Sequence, residues 1–220
     1  DFRCLFDYNY TQQVLKLQPT DEAKVLRGMI MGMKPNQRIA LTKELIHRAL
    51  ISLLKKQDIH KISIRELCDI AGINRTTFYN HYGSQYDVLA EIRDWYIKDI
   101  ADTIESTDLC DSAGVLHRVT LIFSYMEQNL EISRLLIQNN FDETFAHRLF
   151  SLPKIEVLLT EYRKAIDDHR YDKDIASFAL YGSYRLLQNW IAEDDRRSAE
   201  EMAQIVMSLT SAVCSAGTKQ

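Results

Sequence analysis

Apolar positions recur every three or four residues from Arg38 onwards, which is the spacing of one face of an α-helix. The pattern predicts a helix that ends at the polar run 55–58, where lysines, a glutamine and an aspartate follow one another. The face that we expect to be buried consists of Ile39, Thr42, Ile46, Ala49, Leu50 and Leu53.

Capping residues divide the next stretch into two short helices. Ser63 and Glu66 have the spacing of a capping box, in which each side chain accepts a hydrogen bond from the backbone N–H of the other residue. Gly72 suits the left-handed end of this helix, and Asn74 suits the N-cap of a second helix over 75–82. Two short helices joined by a glycine-containing turn, after one longer helix, predict a helix-turn-helix unit.

The second short helix carries an unusual set of outward-facing residues. Phe78 and Tyr82 lie four residues apart, so we expect both to face the small core. The residues expected outside it or at its boundary are Arg75, Thr76, Thr77, Tyr79, Asn80 and His81. Because exposed helix positions without a binding role more usually hold Glu, Lys or Gln, this composition indicates a binding role.

The remaining chain is also predicted to be helical. Ser84 and Asp87 are expected to cap a long helix that reaches about Ile104. Further helices are predicted over 112–128, 131–138, 142–150, 153–166, 173–191 and 198–214, the last opened by a capping box at Ser198 and Glu201. The chain has 7 glycines and 3 prolines, where average usage gives roughly 15 and 11. This shortage of turn formers favours an all-α fold over β-rich folds.

Charge is unevenly distributed along the 220 residues, although the net charge is only −4. The segment 34–85 holds nine Lys and Arg against four Asp and Glu, and therefore carries +5. The segment 86–220 holds 14 basic and 23 acidic residues and carries −9. A basic helix-turn-helix unit on an acidic body suggests a polyanion as partner, with a merely solvated charged face as the alternative.

Residues 1–32 show no convincing helical or strand period, and we leave the segment 1–33 unassigned. The chain begins with Asp1, and the sequence Met33-Lys34-Pro35 resembles a native start, so the preceding residues are expected to form a leader or an upstream extension. The four cysteines lie far apart without a CxxC pair and are expected to be reduced thiols. With neither a membrane-length apolar run nor a signal peptide, the expected protein is soluble and cytoplasmic.

The stretch from Arg38 to Leu89 closely resembles the DNA-binding domain of the TetR/AcrR family of bacterial transcriptional regulators. The resemblance rests on the aliphatic–Ala–Gly–aliphatic turn at 70–73, then a polar run, and then Phe78-Tyr79-Asn80-His81-Tyr82. The variant over 73–82 looks most like the Firmicutes branch that contains the dihydroxyacetone-kinase regulators. One position departs from the family pattern, because Gln85 stands where a lysine usually approaches a phosphate.

The resemblance implies that the second short helix enters the major groove of DNA. Arg75 is then the first candidate for a base contact, with Thr76, Asn80 and Arg65 as further candidates. The residues better suited to phosphate are Ser63, Asn74, Thr77, Tyr79, His81 and, more weakly, Gln85. Two alternatives stay open: Tyr79 and His81 could be boundary residues of the core, and Arg65 could pair with Asp69 one turn away.

The family also implies a homodimer and an effector pocket in the C-terminal part. The dimer interface is expected to include Phe178, Gly182, Leu186, Trp190, Met202, Ile205 and Leu209, although such stripes are more often core within one chain. The candidate pocket consists of Trp95, Phe123, Met126, Phe141, Phe145, Tyr162 and Tyr181, although an aromatic-rich bundle can equally be a packed interior. Some branches of the family act with a protein partner instead.

Catalytic and cofactor motifs are missing from the sequence, and the six histidines lack the spacing of metal ligands. We therefore expect no cofactor, no metal and no enzymatic activity. The sequence predicts an unassigned extension over 1–33, a DNA-binding domain over 34–85 and a dimerisation and effector-binding domain over 86–220. The predicted function is a homodimeric repressor released from a palindromic operator by a small molecule. The alternatives are an activator with a protein partner and, in another class, an all-α enzyme or scaffold.

Overall fold

The computed structural model describes residues 35–105, 112–137, 143–150 and 172–216. Within these ranges the regular structure is entirely helical, which confirms the all-α prediction. The extension over 1–33 and the predicted helix over 153–166 lie outside the described residues, as do Phe141 and Tyr162. The contacts within the chain define two compact units, which divide after Asp94.

Over its described residues, 35–94, the first unit contains three complete α-helices, the start of a fourth, and one 3-10 turn. Helix α1 spans Pro35–Leu54, the 3-10 turn Ile59–Lys61, α2 Ile64–Ala71, α3 Arg75–Tyr79, and α4 begins at Gln85 and continues to Glu105. Helix α1 packs against α2, and α2 packs against α3. The most deeply buried side chains of this core include Ile46, Leu50, Leu67, Phe78 and Ile92.

Two sequence predictions about this unit need correction. Ile39 was expected on the buried face of α1, but it remains 46% exposed, because it lies in the first turns of a helix whose buried residues begin only at Ile46. The second short helix was expected to reach Tyr82, but α3 ends at Tyr79. The chain tightens there, since the backbone N–H of His81 donates to the carbonyl of Phe78, only three residues back.

The second unit contains the rest of α4 and five further α-helices among its described residues. They are α5 (Ser112–Gln128), α6 (Leu130–Ile137), α7 (Glu143–Phe150), α8 (Asp172–Ala192) and α9 (Ala199–Ala216). Helix α9 packs against α5 and α8, and α8 also packs against α6 and α7. Among the described residues, every helix is too short or too polar to cross a lipid bilayer.

Both partners of the capping box that opens α9 form their expected hydrogen bonds. The backbone N–H of Ser198 donates to Oε2 of Glu201 over 2.9 Å, and the N–H of Glu201 donates to Oγ of Ser198 over 3.2 Å. The same carboxylate also accepts from the hydroxyl of Ser198. These bonds hold the pKa of Glu201 below its usual value.

Candidate nucleic-acid interface

Local capping fixes the position of α2. The hydroxyl of Ser63 accepts a hydrogen bond from the backbone N–H of Glu66 over 3.1 Å, as the capping box predicted. The carboxylate of Glu66 was expected to return this bond to Ser63, but it accepts instead from the side-chain amide of Gln57, 3.1 Å away. Glu66 therefore ties the start of α2 to the segment that follows α1.

The turn between α2 and α3 depends on one glycine. Gly72 has φ 67° and ψ 27°, a left-handed conformation that costs other L-residues about 1–2 kcal/mol. The backbone N–H groups of Gly72 and Ile73 both donate to the carbonyl of Cys68, which closes α2. The chain can therefore reverse within two residues and start α3 at once.

Asn74 caps α3 in the predicted way. Its side-chain oxygen accepts a hydrogen bond from the backbone N–H of Thr77 over 2.7 Å. Phe78 anchors the other side of this five-residue helix, because its side chain is completely buried. Held by this cap and this core residue, the helix exposes Arg75, Thr76 and Tyr79.

The structure places the predicted base-contact residues on the surface. Arg75, Thr76 and Asn80 are all exposed, the first two on α3 and the third directly after it. Arg65 is exposed on α2, and its side chain borders a surface depression together with Asn74 and Arg75. Arg65 of α2 and Arg75 of α3 therefore border the same depression.

Arg65 lies close enough to Asp69 for the ion pair that the sequence left open. Its Nε atom is 3.8 Å from Oδ2 of Asp69, and both side chains are more than 70% exposed. A pair this long and this well solvated contributes little to stability. It leaves the guanidinium group accessible.

The predicted phosphate contacts fall into an exposed and a half-buried group. Tyr79 is 56% exposed and touches Phe78 edge-on, with ring centroids 5.6 Å apart, so it is not part of the core. Ser63 and Asn74 are exposed as well. Thr77, His81 and Gln85 are half-buried.

The turn that leads from α3 to α4 is held by Asp87. Its Oδ2 atom accepts hydrogen bonds from the backbone N–H groups of Gly83 and Ser84, at 2.8 and 2.9 Å. A Cβ atom at Gly83 would lie only 3.0 Å from the same oxygen, so this position favours a residue without a side chain. Gln85 is thereby fixed at the first position of α4, close in sequence to the end of α3.

A polar cluster that the sequence pattern did not indicate lies behind this surface. Tyr82, His47, Lys43 and Glu91 come from three separate elements and are joined by hydrogen bonds. Burial, which outweighs the attraction of Glu91, lowers the pKa of His47 to about 4. Burial also opposes the charge of Glu91, but hydrogen bonds from Lys43 and Tyr82 hold the pKa of Glu91 below its usual value.

The residues predicted to form a dimer interface differ widely in exposure. Phe178 is 66% exposed, Leu209 is 50% exposed and Gly182 is exposed, whereas Leu186 and Ile205 are half-buried. Trp190 and Met202 are buried within the unit. The ring of Trp190 contacts that of Phe123 edge-on at 5.1 Å, and its indole N–H donates to the carbonyl of Arg197.

The described pocket candidates lie in the second unit. Phe123, Met126 and Phe145 are buried there, and Trp95 and Tyr181 are half-buried. The ring of Phe145 also lies 6.3 Å from that of Tyr96. Within the described ranges, no three side chains of His, Cys, Asp or Glu converge on a point that could hold a metal ion.

Comparison with known proteins identifies relatives over both parts of the chain. A family profile described as a transcriptional regulator C-terminal region, of the TetR type, matches residues 116–212. The chain is 25% identical over 145 residues to DhaS of Lactococcus lactis, the HTH-type transcriptional activator of the dhaKLM operon. That alignment covers 65% of this chain and 74% of DhaS.

Another relative and two solved structures agree with this match. The HTH-type regulator YxbF of Bacillus subtilis is 24% identical over 76% of this chain, but the alignment spans only 44% of YxbF. The crystal structure of a TetR transcriptional regulator from Streptococcus agalactiae shares the fold with a TM-score of 0.64, at 23% identity over 80% of this chain and 96% of that one. The solved structure of a dihydroxyacetone kinase operon activator, DhaS, has a TM-score of 0.50 at 22% identity over 80% and 97% of the two chains.

Proposed function

We propose that this chain, which is similar to transcriptional regulators of the TetR type, is a homodimeric repressor that binds a palindromic operator through α2 and α3. The observation that supports this most is the placement of Arg75. It is the first residue of a helix capped by Asn74, and its guanidinium group is exposed next to a turn held by Gly72. Side chains at the start of such a helix are the ones that reach base edges in the major groove.

Charge supports the same proposal. The segment 34–85 carries +5, whereas the segment 86–220 carries −9. A polyanion is therefore attracted to the segment that holds α2 and α3 and repelled by the segment 86–220. We accordingly propose 34–85 as the DNA-binding domain and 86–220 as the regulatory and dimerisation domain.

Dimerisation follows from the size of the DNA-contacting surface. One helix-turn-helix offers too little contact area for tight operator binding, so two copies contact half-sites ~34–36 Å apart. The exposed Phe178 and Leu209 on α8 and α9 support these helices as the surface that joins the copies. Trp190 and Met202 then shape this surface from behind, because they are buried within one chain.

A small-molecule effector is proposed to release the repressor by binding among the aromatic residues of the second unit. The effector acts only through its different affinity for the DNA-bound and free conformations. In this proposal the protein works in the cytoplasm, needs no cofactor and catalyses no reaction.

The experiment that tests DNA binding is a mobility shift with the intergenic DNA beside the protein's own gene, in excess competitor DNA. Wild type is expected to retain the shift, and Arg75→Ala is expected to lose it. The matched control is Lys98→Ala, which removes the same charge from an exposed position of α4 in the second unit and is expected to behave like wild type. Equal binding to intergenic and unrelated DNA would contradict the proposal and favour an all-α enzyme or scaffold.

The second candidate function is activation together with a protein partner, and the name of the relative from Lactococcus lactis favours it. That protein, 25% identical, is a transcriptional activator. A reporter placed behind the bound promoter separates the two functions. Deleting the gene for this protein raises the signal if it represses and lowers the signal if it activates, and purified polymerase with candidate partners then tests co-activation directly.

A further inference from the structure

The polar cluster behind α3 connects three elements of the first unit. Tyr82 follows α3 by three residues, and its hydroxyl donates a hydrogen bond to Oε2 of Glu91 on α4. Nε2 of His47, on α1, lies 2.8 Å from the same hydroxyl. Nζ of Lys43, also on α1, donates to Oε1 of Glu91 over 2.8 Å. We call these four residues the Tyr82 clasp.

Proton positions within the clasp follow from the number of protons available. A phenol hydroxyl has one proton, and that of Tyr82 donates a hydrogen bond to Glu91. The same hydroxyl must therefore accept its second hydrogen bond, from Nε2–H of His47. His47 is neutral at neutral pH because its burial lowers the pKa to about 4. His47 therefore donates a hydrogen bond to Tyr82, and Tyr82 donates one to Glu91. The ammonium group of Lys43 balances the negative charge of the Glu91 carboxylate.

The clasp holds the end of α3 that local sequence leaves without a side-chain cap. Asn74 caps the beginning of the helix and Phe78 anchors its middle. Beyond Tyr79, the ring of Tyr82 packs near that of Phe78, with centroids 5.8 Å apart, and its hydroxyl reaches α1 and α4 together. One oxygen atom, just beyond the end of α3, thus bonds to side chains of both α1 and α4.

We propose that Tyr82 and Glu91 are positioning residues for DNA recognition, which act on base discrimination through the orientation of α3. This inference rests on the proposed DNA-binding function. Neither side chain needs to touch DNA, because Tyr82 is buried and Glu91 faces Lys43 and Tyr82. Base edges demand closer alignment than phosphates, since bidentate hydrogen bonds depend on both distance and direction.

The test uses Tyr82→Phe and Glu91→Gln in the full chain. Binding is measured by fluorescence anisotropy at fixed salt, to the operator and to an operator with one altered base pair under Arg75. The ratio of the two affinities is expected to fall about fivefold or more in each variant, while the slope of affinity against salt stays unchanged because the phosphate contacts persist. A merely destabilised protein would lose active molecules equally for both DNAs and would keep the ratio.

Two further measurements make the result decisive. Tyr125→Phe is the matched control, because it removes a tyrosine hydroxyl that donates to Asp99 over 3.2 Å in the second unit, and it is expected to keep the ratio. The double variant of Tyr82 and Glu91 is expected to lose less than the sum of the two single losses, since Tyr82→Phe removes the hydrogen bond that Glu91→Gln weakens by removing the carboxylate charge. An unchanged ratio in Tyr82→Phe, or additive losses, would overturn the positioning role while operator binding by wild type still stands. Wild type without operator preference would overturn the proposed function and this inference together.

Discussion

Nε of Arg65 lies 3.8 Å from Oδ2 of Asp69, one helical turn away on the exposed side of α2. Both side chains border the depression that Asn74 and Arg75 also line. A carboxylate therefore stands among the cations proposed to meet DNA. Because the pair is exposed and long, DNA can compete for the guanidinium group at little cost in stability.

Replacement of that carboxylate is expected to strengthen DNA binding. Asp69→Asn removes a charge that repels phosphates and releases Arg65, so affinity for operator and unrelated DNA should both rise several-fold. The free energy of unfolding should change by less than about 0.5 kcal/mol, the usual scale for an exposed pair. Anisotropy titrations at one salt concentration measure the affinity. Asp58→Asn is the control, since Asp58 forms an equally long exposed pair with Lys61, and an equal gain from both variants would count against a special role for Asp69.

Arg75 and Tyr79 should affect DNA binding in different ways. Arg75→Ala is expected to reduce the difference in binding free energy between the preferred base pair and the other base pairs by about 1–3 kcal/mol at the contacted position. The reason is that it removes a bidentate contact. Tyr79→Phe is expected to weaken binding to all DNA sequences by the same factor, because the exposed hydroxyl of Tyr79 is suited to a phosphate contact. Competition titrations with single-base variants of the operator distinguish the two effects. If Arg75→Ala left both the preferred site and the affinity untouched, Arg75 would not contact bases.

An acidic residue at Phe178 is expected to disrupt the dimer. Phe178→Asp places two charges in a two-fold symmetric interface, one from each copy, and removes an aromatic side chain of the kind that dominates such surfaces. Size-exclusion chromatography with light scattering at micromolar concentration should show a shift from dimer to monomer. Ile39→Asp is the control, because Ile39 is also an exposed apolar residue but lies in the first unit. A dimer that persists in Phe178→Asp would place the interface elsewhere.

The stability of the first unit should depend on pH through His47. Its pKa is about 4 in the folded chain and about 6.5 when unfolded. The contribution of neutral His47 to the free energy of unfolding is complete above pH 6.5. It is lost as the pH falls from 6.5 towards 4, because His47 is then protonated in the unfolded chain but still neutral in the folded chain. Between pH 7 and pH 5 the free energy of unfolding should fall by ~2 kcal/mol.

Urea unfolding at several pH values measures this loss. His47→Gln should show a much flatter dependence over the same interval. Identical slopes in wild type and His47→Gln would mean that another group titrates.

Gly72→Ala is expected to destabilise the first unit by about 1–2 kcal/mol, because a side chain is strained at φ 67°. Gly182→Ala, compared in the Phe178→Asp background so that the proposed dimer interface does not contribute, is the control within a helix. A Cβ there meets nothing within 4 Å in the chain, and alanine favours helices over glycine by up to about 1 kcal/mol. Chemical denaturation of both variants should therefore give changes of opposite sign, and a harmless Gly72→Ala would contradict the role of the left-handed turn.

Features that depend on neighbouring residues could be predicted from the sequence alone. Ser63, Gly72 and Asn74 act within four residues of their own positions, so capping rules placed α2 and α3 correctly at their starts. The capping box at Ser198 could be predicted for the same reason, because its two hydrogen bonds join residues only three positions apart. The family resemblance was also carried by contiguous residues, which is why it could be recognised before the fold was known.

Features that depend on distant partners were decided by the tertiary structure. Glu66 bonds Gln57 instead of Ser63, and the hydroxyl of Tyr82 finds His47, which lies 35 positions earlier in the chain. Helical periodicity grouped Phe178 with Trp190, yet one is 66% exposed and the other 2%. The ring of Trp190 contacts Phe123 of α5 edge-on, so it packs within the chain. A sequence pattern can define an apolar face, but only packing determines which part of that face other helices cover.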